Sequence, residues 1–149
     1  MNTQPNGGVI RLKLPWPPSI NSYWLHTKTG QTFITPKGRK FRQVVMAACL
    51  VGNIQPMTGR LDILIHYHPP DRRIRDIDNL QKALMDAMKH GGCMADDSQV
   101  KHMDVTMHDF AEANAGRVFV TLRRIAGSLV QEEIDWTPAV GEPVYPERK

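Results

Sequence analysis

The sequence has little cysteine, no long hydrophobic run and no internal repeat, and each absence excludes a class of protein. Two cysteines in 149 residues, Cys49 and Cys93, are too few for a disulfide framework and lack the paired spacing of zinc ligands. No apolar run approaches the length of a bilayer span, and the first residues lack the basic start and apolar stretch of a signal peptide. We therefore expect a cytoplasmic protein with reduced cysteines and no membrane contact.

The composition is that of an ordinary globular domain. Hydrophobic residues make up 41% of the chain and charged residues 23%, values that exclude both wholesale disorder and a membrane protein. A chain of 149 residues fits one domain and can bury a core without disulfide or metal staples. The sequence shows no boundary that would divide it into two folded units.

The net charge of +4 is unevenly distributed along the chain. Residues 126–149 carry five acids and two bases, a charge of −3, which leaves +7 for residues 1–125. A folded part this basic suits a polyanionic partner, although charge alone does not say which one.

Hydrophobic periodicity predicts four strands and two helices. Strands are expected at residues 9–14, 60–68, 99–108 and 117–124, and helices at 36–51 and 78–91. The predicted apolar stripe of the first helix is Phe41, Val44, Val45, Ala48 and Val51, and that of the second is Leu80, Ala83, Leu84 and Ala87. In the strand at 60–68, one face carries Leu61, Ile63, Ile65 and Tyr67. The predicted fold is thus α+β, a single compact domain of order β-α-β-α-β-β in which two helices pack on a mixed sheet. We expect this domain to span residues 1–125, with a loose arm at 1–8, and residues 126–149 to form a tail rich in proline and acids.

Local signals place the boundaries of these elements. Thr35 and Pro36 are typical of an N-cap followed by the first helical residue. Asp78 with Gln81 resembles a capping box, and two glycines at 91 and 92 predict the end of that helix. The connection at 111–116 is compatible with a hairpin between the last two strands.

The segment from Asp71 to Lys82 reads DRRIRDIDNLQK and sets a run of cations beside two carboxylates. Arginine binds phosphate through a planar pair of donors, and carboxylates bind Mg²⁺ whose coordination is completed by substrate phosphate oxygens. This combination points to a nuclease that uses a metal ion. Asp76 and Asp78 directly precede a helix, whose first backbone N–H groups also favour phosphate.

Structural roles for the same residues stay open from the residues alone. Asp78 could be only an N-cap, a role worth about 1 kcal/mol. Lys82 lies four residues from both Asp78 and Asp86, so an ion pair would explain it as well as stabilisation of transition-state charge would. Asp96 and Asp97 would ordinarily be turn residues.

Other polar and aromatic residues also have two interpretations. Arg72, Arg73 and Arg75 are candidate phosphate ligands, although a solvated surface loop would look the same. Zinc is disfavoured as a cofactor, because the sequence has neither a Cys-x-x-Cys nor a His-x-x-x-His element. The histidines that raise the question of zinc are His66, His68, His102 and His108. The aromatic residues that either stack on bases or anchor packing are Trp16, Tyr23 and Trp24.

Taken together, these motifs make the chain similar to the RusA-type Holliday-junction resolvases, small endonucleases that cut four-way DNA junctions. The resemblance includes LPWPPS at 14–19, the segment from Asp71 to Lys82, Asp86 with Ala87, and DDSQV at 96–100, and covers most of residues 10–125. Two features depart from the family pattern. Ile74 interrupts an arginine run, and residues 91–95 are smaller and less aromatic than the family's equivalent segment.

The resemblance implies a set of site residues and partners. It places catalytic, metal-binding carboxylates at Asp76, Asp78 and Asp97, an essential lysine at Lys82, and Arg75 beside the site. It implies a two-fold homodimer whose two sites nick opposed strands of the junction and leave 5′-phosphate and 3′-hydroxyl ends. The implied cofactor is Mg²⁺, which Mn²⁺ could replace, and no nucleotide cofactor is expected.

We therefore expect a Mg²⁺-dependent endodeoxyribonuclease that resolves four-way junctions during recombination and repair. One alternative is a protein that binds junctions without cutting them. Another is a Mg²⁺ nuclease that acts on other branched DNA, such as flaps. A binding protein would not need three matched aspartates and a lysine, so their joint presence favours the enzyme.

Overall fold

The computed structural model describes residues 8–127 and Leu129. The predicted arm at 1–8 and the predicted tail at 126–149 therefore lie almost wholly outside the described residues. Within them, no helix is long and apolar enough to cross a membrane. The elements are β1 (Val9–Pro15), α1 (Ile20–Tyr23), β2 (Trp24–His26), β3 (Thr32–Ile34), α2 (Pro36–Val51), β4 (Leu61–His68), α3 (Asp78–Gly91), β5 (Val100–Met107) and β6 (Arg117–Arg124).

The four long strands form one mixed sheet in the order β1-β6-β4-β5. β4 and β5 are parallel, because α3 returns the chain from the end of one strand to the start of the next. β6 pairs antiparallel with both β1 and β4. The predicted α+β fold, with a mixed sheet and two long helices, is confirmed, and β5 is an edge strand of the described sheet.

The predicted hairpin between the last two strands is wrong. β4 lies between β5 and β6, so the connection at 108–116 passes over one strand before the chain re-enters the sheet. The helix α3 brings β5 back parallel to β4 on one side. The next strand, β6, therefore pairs with the other side of β4. Strand spacing alone does not distinguish this arrangement from a hairpin.

α2 and α3 cover one face of the sheet and form the core with it. Alternate residues of β4 are buried, as its period of two predicts: Leu61, Ile63, Ile65 and Tyr67. β1 and β6 bury their alternate residues on the same face. Each such side chain contributes about 1.5–3 kcal/mol through burial.

The predicted start of α2 is confirmed, and its apolar stripe is confirmed in part. The Thr35 hydroxyl accepts a hydrogen bond from the Gly38 N–H at 3.0 Å, with proline at the first helical position. Phe41 and Val45 are buried, but Val51, the last residue of the helix, is 90% exposed.

α3 buries the predicted residues Leu80, Ala83, Leu84 and Ala87. Gly92 ends the helix with a φ of 92°, a left-handed conformation that glycine adopts without strain. The next residue, Cys93, is buried with its sulfur 3.2 Å from that of Cys49, and both thiols are free.

The segment at 20–34 contains a short helix and a small hairpin that periodicity did not predict. β2 and β3 have three residues each, too few to display an alternating pattern. Tyr23 is fully buried, and Trp16 packs edge-on against Tyr67 with ring centroids 5.7 Å apart. Packing, rather than base stacking, therefore accounts for these two aromatic residues.

Candidate active site

The loop between β4 and α3 is organised around the Asp71 carboxylate. One of its oxygens accepts hydrogen bonds from the Arg73 backbone N–H at 2.9 Å and from the Arg75 guanidinium at 2.8 Å. The Arg75 hydrogen bond, followed by that of the Arg73 N–H, lowers the pKa of the Asp71 carboxyl to about 2. The carboxylate is therefore ionised near neutral pH, and it fixes the path of the arginine loop.

Two arginines of this loop lie over aromatic rings. The Arg72 guanidinium is 5.0 Å from the centre of the Phe110 ring, and that of Arg75 is 5.4 Å from the Trp16 ring. Arg72 and Arg73 are exposed beside a cavity of about 520 Å³ between the loop and the end of β5. Their guanidinium groups are thus available to a phosphate, as the sequence predicts for this loop.

Asp76 and Asp78 are exposed where the loop enters α3. The predicted capping box of Asp78 with Gln81 is wrong: Ile77 occupies the N-cap position, and no side chain caps the helix. The backbone before α3 is already helical at Ile77, so the Asp78 carboxylate does not fold back onto an N–H group. Asp76 accepts one long hydrogen bond, 3.4 Å, from Asn79.

Lys82 lies one turn into α3 and is exposed. The ion pair with Asp86 that would explain it structurally is not formed. The Asp86 carboxylate instead binds the Arg42 guanidinium at 2.8 Å and accepts a hydrogen bond from the Tyr23 hydroxyl. Within the described part of the chain, Lys82 therefore has no acidic partner.

Asp96 and Asp97 have different roles although they are neighbours. Asp96 caps the 3₁₀ turn Asp97–Gln99 in a capping box and forms an ion pair with Lys89 at 2.8 Å. The Lys89 ammonium, with help from Ser98, holds the pKa of the Asp96 carboxyl well below its usual range. The turn interpretation is thus correct for Asp96, whereas the exposed Asp97 carboxylate is left free of hydrogen bonds and ion pairs among the described residues.

Three of the four predicted catalytic residues line one groove along α3 and the outer edge of β5. Asp78, Lys82 and Asp97 border this groove of about 730 Å³. Asp76 lies in an adjoining pocket of about 250 Å³ with Arg75 and Trp16. The structure therefore gathers the predicted residues into one region but divides them between two adjoining depressions.

The three aspartates do not meet within one chain. Residues 8–127 contain no group of three His, Cys, Asp or Glu side chains that could hold a metal ion. The reason lies in the length of α3: Asp96 is bonded to Lys89, and Lys89 lies about 16 Å along the helix axis from Asp78. Asp97 therefore lies towards the far end of the groove from Asp78.

Gln81 is a groove residue that the sequence suggested only as a capping partner. Its side-chain oxygen is buried beside Asp78 and accepts no hydrogen bond from the described residues. Buried polar atoms normally have partners, so this oxygen is an acceptor available to an added group. No sequence signal identified it, because the helical period places it at the boundary between core and surface.

The histidines considered as zinc ligands contact one another instead. His66 Nδ1 lies 2.8 Å from His108 Nε2, and His68 stacks on His108 with ring centroids 4.3 Å apart. His102 Nδ1 lies 2.7 Å from an Asp62 oxygen. These contacts satisfy the rings by hydrogen bonding and stacking, and they occur on the sheet face opposite to α3.

Comparison with known proteins identifies the family to which the chain belongs. The family model described as endodeoxyribonuclease RusA matches residues 15–123. The chain belongs to the RusA endodeoxyribonuclease family. The matched region contains the arginine loop, α3, the 3₁₀ turn with Asp97 and β5. All the candidate residues thus lie inside the family region.

Curated RusA relatives align over most of their length. The crossover junction endodeoxyribonuclease RusA of Shigella sonnei (strain Ss046) is 37% identical over 116 residues, which are 74% of this chain and 91% of the relative. That of Escherichia coli (strain K12) is 36% identical over the same shares of both chains. The enzyme of Enterobacteria phage 82 is 36% identical over 119 residues, or 76% of this chain and 93% of the relative.

Proposed function

We propose that this chain is a crossover junction endodeoxyribonuclease that nicks opposed strands of a four-way DNA junction in the cytoplasm. The observation that carries the proposal is the set of unpaired charges around α3. Asp78, Lys82 and Asp97 border one groove, and none of them is bonded to an opposite charge in the described chain. Four other acids, Asp62, Asp71, Asp86 and Asp96, all form ion pairs.

The free oxygen atoms around the groove fit a hard divalent cation. The carboxylates of Asp76, Asp78 and Asp97 are exposed, and the amide oxygen of Gln81 is buried without a donor. Oxygen donors of this kind suit Mg²⁺, which Mn²⁺ could replace. When bound, the ion would supply acidification of a water molecule and neutralisation of phosphate charge.

The cations of the chain have separate tasks in this proposal. Lys82, which has no acidic partner in the described part of the chain, stabilises negative charge that grows on the phosphate during attack by water. Arg72 and Arg73 bind the DNA backbone beside the groove, and Arg75 is held by Asp71 next to Asp76. Hydrolysis breaks the bond to the 3′ oxygen, so a nicked strand keeps ends that a ligase can rejoin.

A second copy of the chain completes each site in this proposal. The outer edge of β5 is unpaired among the described residues, and Met103 on it is 39% exposed within the groove. Such an edge readily pairs with another strand. If two copies pair their β5 edges antiparallel about a two-fold axis, the start of one strand lies beside the end of the other. Asp97 of the second copy would then approach Asp76 and Asp78 of the first copy. The shared site would thus bring together aspartates that lie apart within one chain.

Mixed dimers test this site directly. Asp78→Asn and Asp97→Asn chains, carrying different tags, are co-expressed, and the dimer that contains both is purified. In a shared site, one of its two centres has all its aspartates intact, so the mixed dimer should nick one junction strand although each parent dimer is inactive. A mixed dimer of Asp76→Asn with Asp78→Asn is the matched control, because both of its centres carry a substitution.

Each result has a defined meaning. Nicking by the first mixed dimer and none by the control supports a site shared between copies. Equal inactivity of both, beside an active wild type, contradicts the shared site and places Asp97 with its own chain. A wild type that binds junctions but does not cut them contradicts the nuclease proposal and supports a binding protein.

A further inference from the structure

The sheet face opposite to α2 and α3 is uncovered by any described element. Its residues alternate with the buried ones, and none of them is buried. This open face contains Arg11 and Lys13 of β1, Asp62, Leu64, His66 and His68 of β4, Asp104 of β5, and Arg117, Phe119, Thr121 and Arg123 of β6. An apolar face of a sheet is normally covered by other elements, whereas a polar face is stable in water. The polar open face is therefore available to a partner.

The charge of the open face is positive. Asp62 is already engaged by the Arg123 guanidinium at 3.1 Å and by His102. Arg11 and Arg117 make no ion pair or hydrogen bond through their side chains in the described part of the chain, and Lys13 contacts only the Phe119 ring, at 5.7 Å. Three exposed cations, Arg11, Lys13 and Arg117, thus face solvent. Among the described residues of the same face, Asp104 is the acid that has no ion pair.

Imidazole rings connect the open face to the arginine cavity. His68 packs on Phe119 with ring centroids 5.3 Å apart, and His66 and His68 both contact His108. His108 in turn lines the cavity that Arg72 and Arg73 border. The surface is therefore continuous from the arginine loop to the cations of β1 and β6.

A linear duplex cannot occupy both sides of this molecule at once. The candidate catalytic residues Asp78 and Lys82 belong to α3, on one face of the sheet, and the three free cations lie on the other. DNA has a persistence length of about 150 base pairs, so a duplex bound at α3 does not fold back around the edge of a small domain. A branched molecule reaches both faces, because its arms leave the branch point in different directions.

We propose that the open face binds the phosphate backbone of a second arm of the junction and so favours branched over linear DNA. This inference rests on the proposed function, which supplies the branched substrate. The alternative occupant, a second copy of the chain, is less suited to a face with three unpaired cations, because the core of a subunit interface is depleted of charged residues. DNA phosphate complements them directly.

Charge reversal on the open face tests the proposal. Lys13→Glu with Arg117→Glu is introduced into the Asp78→Asn chain, and binding to a labelled four-way junction and to a linear duplex is measured without metal over a range of salt concentrations. We expect junction binding to weaken at least about tenfold, and the slope of log affinity against log salt to become shallower by about 2. Duplex affinity should stay within about twofold, because the duplex contacts the other face.

A matched control separates local contact from total charge. Lys28→Glu with Arg39→Glu makes the same change in net charge at exposed positions of the β2–β3 turn and of α2. It should weaken junction and duplex binding by equal, small factors and leave both salt slopes unchanged. Both double variants should also keep the cooperative unfolding of the parent, because the four positions are exposed.

Four results would overturn the proposal. Unchanged junction affinity in the Lys13→Glu, Arg117→Glu protein shows that no arm binds there. An equal loss for junction and duplex shows a face without preference for branches. Dissociation of that variant into monomers, with the control still dimeric, assigns the face to a second copy. A parent protein that does not prefer junctions to duplex removes the proposed function and this inference together.

Discussion

Arg42 on α2 and Asp86 on α3 form an ion pair in which Nε and one terminal nitrogen of the guanidinium lie 2.9 and 2.8 Å from the same carboxylate oxygen. The buried Tyr23 hydroxyl donates to that oxygen, and burial, followed by this hydrogen bond, raises the pKa of the hydroxyl. The contact joins three helices and occupies Asp86, one of the two acids that lie four residues from Lys82 on α3. A structural ion pair at Asp86 therefore keeps that carboxylate from Lys82, as the role proposed for Lys82 at phosphate requires.

Asp86→Ala should destabilise the fold. The substitution leaves the Arg42 guanidinium and the Tyr23 hydroxyl without their acceptor at about one-fifth exposure, and we expect the free energy of unfolding to fall by about 2 kcal/mol. Urea unfolding measures the change. Asp104→Ala, at an exposed aspartate that has no partner among the described residues, is the control. Equal midpoints for the two variants would show that the three-residue contact contributes little.

Lys82→Ala should have the opposite profile, with normal stability and lost activity. Lys82 has no ion pair to lose among residues 8–127, whereas removal of one charge-stabilising donor from an active site typically lowers the rate by about 10² to 10³. Single-turnover cleavage at saturating enzyme measures this rate. Lys101→Ala, which removes a cation from the other wall of the groove, should keep nearly the wild-type rate. Equal rates for the two variants would contradict a specific role for Lys82.

Much of the fold could be predicted from the sequence because the burial of apolar side chains determines the pattern of its strands and helices. The period of two in β4 and the stripe of α3 are determined by a shared core, and both were predicted residue by residue. The predicted hairpin was wrong because β5 and β6 both pair with β4 rather than with each other. No local sequence pattern encodes which strands are neighbours. The short strands β2 and β3 were missed because three residues are too few to show a period.

The sequence predicts the candidate site as a list of residues but not as an arrangement. The carboxylates and cations at 71–82 can be read directly from the sequence. Whether Lys82 pairs with Asp86 depends on Arg42, forty residues earlier in the chain, because Arg42 binds the Asp86 carboxylate. Capping was assigned to Asp78, but the capping box formed at Asp96, because backbone conformation before each turn decides where a carboxylate can fold back. The separation of Asp97 from Asp78 follows from the length of α3, which becomes visible only in three dimensions.

Arg72→Ala should weaken DNA binding without regard to sequence. The guanidinium is exposed over Phe110 and has no acidic partner in the part of the chain that the structure describes, so its loss removes about one phosphate contact. The slope of log affinity against log salt should become shallower by about 1, as measured by fluorescence anisotropy. Lys28→Ala is the control for loss of one charge, and an unchanged slope in Arg72→Ala would show that this arginine faces away from DNA.

The histidine cluster should make stability depend on pH. Burial, followed by the neighbouring His108 and His66, lowers the pKa of His68, which also faces Arg117 across the sheet. Below about pH 6.5 the unfolded chain takes up a proton that folded His68 resists, so stability is complete above that pH and declines as pH falls. His68→Gln should reduce the fall in melting temperature between about pH 7 and about pH 5.5. A fall as large as that of the wild type would contradict this origin, and His26→Gln on the β2–β3 hairpin is the control.

The most direct test of the account is nick mapping on a four-way junction labelled in each strand in turn. Wild-type protein with Mg²⁺ should make paired nicks at symmetric positions in two opposed strands and leave a linear duplex of the same sequence uncut. EDTA should abolish the nicks, and Asp78→Asn should bind the junction without cutting it. Nicks that persist in EDTA or in Asp78→Asn, or equal cutting of the linear duplex, would contradict a metal-dependent junction resolvase.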